Sequence, residues 1–159
     1  MKKKVIDWDK LRNIRERTVV LAAGVFDILT VAHIKHLEWG AKQADILVVG
    51  LTPDEMVDKG RLRPCFKLRH RIQMISALTF VRHIVINRRY NYCEMIETLQ
   101  PNFYLKGPDI RRKETLNFKL EKECLLRFGG RVLFSPGNIE FHTTEVLKHY
   151  DKEQLNEIE

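Results

Sequence analysis

Five short apolar runs, alternating with stretches of helical spacing, govern what this chain can fold into. They read TVVLAAG (18–24), DILVVGLT (45–52), VRHIVIN (81–87), NFYLKG (102–107) and RVLFSP (131–136). Each has the length of a strand, and the near-continuous apolar character suits strands covered on both faces, as in parallel sheets. Between them, HIKHLEWGAKQA sets Ile34, Leu37 and Ala41 on one helical face, and KLRHRIQMISALTF does the same with Leu68, Ile72, Ile75 and Leu78. NYCEMIETLQ is closed by Pro101, and TLNFKLEKECLLRFGG ends on paired glycines, a common helix stop. TTEVLKHYDKEQLNEIE reads as a terminal helix with a polar tail. The alternation predicts one α/β domain over 1–159, with a core at about 17–150. Its fold is a single doubly wound, Rossmann-like parallel sheet with helices on both faces and right-handed crossovers.

Such sheets bind ligands beyond the carboxyl ends of their strands, near the switch in strand order. Gly24, Thr52, Lys106 and Ser135 all lie just past expected strand ends and are expected to line one cleft. Lys plus Arg number 28 against 21 Asp plus Glu, a net charge of +7, which suits anionic partners such as nucleotides, sugar phosphates or nucleic acid. Cys65, Cys93 and Cys124 form no CxxC pair, so a zinc site is disfavoured. All three are expected to be reduced core thiols in a cytoplasmic protein. No run reaches the ~20 apolar residues of a membrane span.

The chemistry concentrates in GVFDILTVAH (24–33). Gly24 admits close backbone approach by a ligand. A helix opening near Ala32–His33 aims its free N–H groups at the same place. His33 in that first turn suits donation to a phosphate oxygen, or plain capping. Neither GxGxxG nor GxxxxGKS occurs, so a dinucleotide site and a Walker loop are disfavoured.

GVFDILTVAHIKHLEWGAKQADILVVGLTPDE resembles the opening of the cytidylyltransferase-like nucleotidyltransferases, which read G-x-F-D-x-x-H-x-G-H before a helix and a strand ending in Thr/Ser-x-Asp-Glu. RPCFKLRHRIQMISAL resembles that family's Arg-Pro loop and downstream Arg. PNFYLKGPD resembles its third element, and GGRVLFSPGNIEFHTTEVLK its closing strand, loop and helix start. Within the family, sugar-phosphate enzymes such as heptose-phosphate adenylyltransferase domains, then glycerol-3-phosphate cytidylyltransferases, are the most similar branches.

The resemblance implies nucleotidyl transfer from an NTP (ATP or CTP) to a sugar or polyol phosphate, with Mg²⁺ carried on the NTP and pyrophosphate released. It also implies a homodimer. Gly24, Val25 and Phe26 would form the loop under the triphosphate, and His33 would touch phosphate in the transition state. Lys42 sits at the family's helix lysine, a candidate catalytic residue that reads at least as well as a solvated helix lysine, and Arg71 would neutralise phosphate charge. Asp54 lies in the TPDE element. Lys106, Gly107 and Asp109 would border base and acceptor. Thr143 and Thr144 would open the last helix against phosphate or base; as a plain cap they contribute about 1 kcal/mol.

The pattern is broken at Thr30 and Ala32, which replace the first His and the Gly of H-x-G-H. It is broken again at Arg82 and His83, in place of acidic residues, and at His142, in place of Ser. Thr30 has a shorter reach than imidazole and no charge. Three readings stay open: an enzyme with a changed clamp, with His142 or His36 compensating; a catalytically degenerate regulatory binder of nucleotide or sugar phosphate; and a nucleic-acid binder using GRLRPCFKLRHR and GPDIRRK. The last is disfavoured because those runs lack interleaved aromatics. Thr30→His should raise activity if the clamp is merely weakened, and leave it flat or lower if the pocket is rebuilt around Thr30.

Overall fold

The computed structural model describes residues 4–15, 17–60 and 63–137. Five parallel strands form one sheet: β1 (Val19–Gly24), β2 (Ile46–Leu51), β3 (His83–Ile86), β4 (Phe103–Lys106) and β5 (Arg131–Phe134). Their order is β3-β2-β1-β4-β5. The chain therefore steps outward from β1 to β3, returns to lay β4 on the other side of β1, and steps outward again. The switch point falls between β1 and β4. The expected doubly wound α/β architecture is the one observed.

The connecting helices are α1 (Val31–Ala41), α2 (Leu68–Ala77), α3 (Cys93–Leu99), α4 (Pro108–Arg112) and α5 (Leu116–Arg127). Alternate residues of each strand serve opposite faces. Val19 and Leu21 of β1 pack in one core with Ile96 and Leu99 of α3 and Phe118 and Leu125 of α5. Val20 and Ala22 pack in the other with Leu37 of α1 and Ile75 of α2. This split is why the strands read as unbroken apolar runs. Gly40 lets α1 lie close to the sheet, since a Cβ there would sit 2.3 Å from a methyl of Leu105.

Two elements differ from the sequence reading. Trp8–Ile14 forms a 3₁₀ helix whose Trp8 and Leu11 are buried. Trp8 Nε1 donates to the Ile86 carbonyl at 2.8 Å, and Val5 bridges Ile84 at the outer edge of the sheet. The packed core thus begins well before residue 17. Second, α4 follows β4 directly, with Gly107 as N-cap and Pro108 at its start, where the sequence reading assigned no helix. The cysteines divide: Cys124 is buried and Cys93 intermediate, but Cys65 is exposed, which corrects its placement in the core. No described helix is long and apolar enough to cross a membrane.

Candidate functional site

The carboxyl ends of β1 and β4 bring Gly24 and Lys106 to the switch point, and the other two expected strand-end residues join them. Thr52 N–H donates to the Gly24 carbonyl at 3.1 Å, and Ser135 N–H to the Lys106 carbonyl at 3.1 Å. The Tyr92 hydroxyl, brought in ahead of α3, meets Thr52 Oγ1 at 2.7 Å and the Gly24 carbonyl at 3.3 Å.

Beyond Gly24 the chain turns through Phe26, whose φ of 49° is a left-handed conformation rare for a bulky residue. Its ring is buried and meets His33 edge-on, 5.7 Å between centroids. A Cβ on Gly24 would lie 3.3 Å from that ring, so glycine there keeps the ring in place.

Thr30 is the N-cap of α1. Its Oγ1 accepts from the His33 amide at 3.4 Å, while His33 Nδ1 accepts from the Thr30 amide at 3.2 Å and lies 2.9 Å from Oγ1. This is a capping box with histidine in the role usually held by Glu or Gln. Because an amide can only donate, Nδ1 is an acceptor, and the neutral ring carries its proton on Nε2. Thr30 is thus the residue that fixes the tautomer and direction of His33. Replacing it by valine should cost about 1 kcal/mol, or about 2–4 °C in Tm for a chain of this size, and should lower kcat. Thr30→Ser should keep both. Thr30→His restores the family pair but loses the cap, so turnover should stay flat or fall.

The acidic residues of the first two motifs build the walls of the site. Asp27 is buried and accepts from Arg63 Nε at 2.7 Å and from the amides of Cys65 and Phe66 at 3.0 and 2.9 Å. Burial pushes its carboxyl up, but those two amides and the Arg63 charge outweigh it and hold the pKa below the usual value. Asp54 Oδ1 accepts from the Leu68 amide at 2.9 Å and from Arg71 Nη2 at 2.6 Å. Arg71 is fully buried. Its remaining bonds go to the carbonyls of Phe66 (3.0 Å), Val25 (2.7 Å) and Thr52 (2.8 Å). The guanidinium therefore ties the loops after β1 and β2 to α2 from beneath. It does not present itself to a phosphate, as the sequence reading expected.

Lys42 is corrected more simply. It follows the last turn of α1, is mostly exposed and pairs with Glu38 at 3.5 Å. Helix rise carries it roughly 13 Å from His33, toward the amino ends of the strands. Arg82 and His83 precede or open β3 and so also lie at the amino ends, away from the cleft. His142, Thr143 and Thr144 lie outside the described residues.

Several residues of the site were not committed to from sequence. His36, one turn after His33, brings Nδ1 to 2.8 Å from Ser135 Oγ, and Ser135 is buried. Burial and the nearby His33 and Lys106 charges push the His36 pKa down to about 4, with Asp109 opposing. The folded ring thus takes a proton only near pH 4, whereas the unfolded ring does so near 6.5. The stability that comes from keeping it neutral is complete above about pH 6.5 and lost as pH falls toward 4. The whole effect is about 3 kcal/mol. Thermal unfolding across pH 4–7 should show this slope, and His36→Gln should flatten it. Lys59, in the loop after β2, has Arg63, Asp27 and Asp109 as charged neighbours. Glu121 is buried in the face of α5 that carries Phe118, Cys124 and Leu125. Its position in that apolar stripe was the visible signal.

Among the described residues no group of three or more His, Cys, Asp or Glu could hold a metal ion. With Asp27 and Asp54 engaged by the protein, Asp109 is a charged neighbour shared by His36, Lys59 and Lys106.

Residues 21–127 match the model of the Cytidylyltransferase-like family. Among curated proteins, Bifunctional protein HldE of Desulfatibacillum aliphaticivorans is 30% identical over 142 residues, 87% of this chain and 28% of that protein. Its counterpart in Campylobacter fetus is 35% identical over 128 residues, 78% of this chain and 28% of that protein. The chain therefore spans little more than a quarter of these relatives. Among solved structures, the lipopolysaccharide core biosynthesis protein of Thermoplasma volcanium matches with a TM-score of 0.63 at 25% identity, over 77% of this chain and 99% of that one. Pantothenate synthetase of Thermus thermophilus matches at 0.61 with 12% identity, over 87% and 63%, a likeness of fold.

Proposed function

The chain belongs to the cytidylyltransferase-like family, and on that premise we propose that it transfers a nucleotidyl group from ATP or CTP to a sugar or polyol phosphate. A phosphate oxygen of the acceptor attacks the α-phosphorus of the NTP. The bond from that phosphorus to the bridging oxygen of the β-phosphate breaks, and pyrophosphate leaves with the electron pair. No protein nucleophile is needed, so the protein's share is positioning and charge stabilisation.

The backbone of Gly24–Phe26 lies under the triphosphate. His33 donates from Nε2 to a phosphate oxygen as charge builds there, helped by the amino end of α1. Lys106 and Lys59 supply positive charge from β4 and the loop after β2. Gly107 and Asp109 border the acceptor and the base. Arg71, Asp54 and Asp27 hold these loops in place. Mg²⁺ arriving on the triphosphate would take most of its oxygen ligands from phosphate and water and would need few from the protein, for which Asp109 would be the nearby carboxylate. Bound there, the ion would neutralise charge between phosphate oxygens.

The observation that carries this reading is the His33 ring at the start of α1, whose Nδ1 is engaged by the Thr30 amide and so leaves Nε2 as the donor. Incubation with each NTP, Mg²⁺ and a panel of sugar and polyol phosphates should release pyrophosphate for one NTP–acceptor pair, well above the rate without acceptor. Nucleotide binding with no pyrophosphate from any pair would replace the transferase with a regulatory binder.

A further inference from the structure

Lys106 does not stand alone at the end of β4. Its Nζ donates to Glu121 Oε2 at 3.1 Å, and lies 4.2 Å from the ring centroid of Tyr104 and 5.3 Å from that of Phe118. The same carboxylate accepts from the Tyr104 hydroxyl at 2.9 Å and, through Oε1, from the Tyr92 amide at 3.0 Å. Glu121 is only 4% exposed. Three donors, two from β4 and one from the N-cap of α3, thus converge on one buried charge. Its partner Tyr92 reaches on to the Gly24 carbonyl.

We propose that Glu121 is a positioning residue of the cleft: from α5, its carboxylate keeps the Lys106 ammonium charged and fixed at the carboxyl end of β4. The proposal rests on the reading above, in which Lys106 meets phosphate. A lysine surrounded by aromatic faces and little water favours its neutral form. Burial does push the Lys106 pKa down, and Glu121, then Asp109, push it back up. The other titratable groups beside it are His36 on α1 and Tyr104 on its own strand. Burial and the Glu121 charge hold the Tyr104 hydroxyl protonated, and His36 is neutral at ordinary pH. Neither adds a negative charge, so the carboxylate of α5 is the main source of stabilisation for the cation.

Glu121→Gln tests this, because glutamine keeps the shape: its oxygen can accept from the Tyr92 amide and its NH2 can donate to the Tyr104 hydroxyl oxygen. Pulse labelling with an amine-selective reagent at varied pH, read by peptide mass mapping, follows neutral Lys106 against exposed Lys42 as internal reference. The Lys106/Lys42 labelling ratio at pH 7.5 should rise about 10-fold or more, the equivalent of one pKa unit. Tyr104→Phe removes a neutral donor and leaves the charge, so its ratio should not rise. In turnover, the alkaline limb of kcat/KM should move to lower pH in Glu121→Gln, because the cation exists only below its pKa. An unchanged labelling ratio in Glu121→Gln, or an equal rise in Tyr104→Phe, overturns the proposal whatever the turnover. So does an unmoved alkaline limb in an active enzyme. Labelling needs no catalysis, so absence of pyrophosphate with every NTP sinks the transferase reading and still leaves the Glu121 result readable.

Discussion

His33→Gln should lose turnover by about 10²–10³-fold while its Tm stays close to that of the parent. Loss of one preorganised transition-state donor typically costs that much in rate. Two roles of His33 coincide in the structure, and this substitution separates them. As a cap, His33 accepts the Thr30 amide through Nδ1. Glutamine at the same helical position does this in ordinary capping boxes, so the helix start should survive. As a donor, His33 offers Nε2–H on a ring held by Thr30 and by the edge of Phe26. Glutamine has no equivalent group in that place. His33→Ala should show the same loss of rate together with a Tm lower by about 2–4 °C, from roughly 1 kcal/mol of lost capping. Steady-state rates and thermal unfolding of both variants check this. Wild-type turnover in His33→Gln would remove the imidazole from the mechanism.

Arg71→Met is expected to act on stability first. Methionine fills part of the volume and none of the hydrogen bonding. The carbonyls of Val25, Thr52 and Phe66 and the carboxylate of Asp54 would lose their donor beneath the loops. Removing one partner of a buried ion pair typically costs about 3–5 kcal/mol, a large share of the roughly 5–15 kcal/mol that holds a domain together. Tm should fall by about 6–20 °C at 2–4 °C per kcal/mol. Arg71→Lys keeps the charge but cannot span all four acceptors, so it should lie between. A phosphate ligand at this position would behave oppositely, with turnover lost and Tm nearly unchanged. Differential scanning calorimetry beside the pyrophosphate assay distinguishes the two.

That contrast marks where the sequence was readable. The five strands were visible because each carries apolar residues for two cores, as Val19 and Leu21 do for one and Val20 and Ala22 for the other. Their order was open to the connection rules, since helices between parallel strands allow few alternatives. The 3₁₀ helix at Trp8–Ile14 was missed although Trp8, Leu11 and Ile14 are spaced by three, the period of that helix. Helix α4 was missed because GPDIRRK was read for its basic charge, although Pro directly after a Gly N-cap is a helix start.

In the site, Gly24, Phe26, Thr30 and His33 were local and therefore legible. The direction of Arg71 was not, because a helical Arg faces the cleft or the floor according to loops far away in sequence. Lys42 could have been placed correctly from helix rise alone. His36 was named only as a compensating residue, and its partner Ser135 lies 99 positions away, a pairing that only the closed sheet reveals. Thr30 changed most in meaning. In sequence it replaces a missing histidine; in the structure it sets the one that remains.

The central claim is that bond breaking occurs at the α-phosphorus. Parallel reactions with α-³²P- and γ-³²P-labelled NTP, in the presence of the acceptor found by the panel, test it directly. The account predicts that the α label appears in a nucleotidyl–acceptor product and the γ label in pyrophosphate, in equal amounts. A γ label that moves to the acceptor or is released as orthophosphate, with the α label left in nucleoside diphosphate, would contradict it.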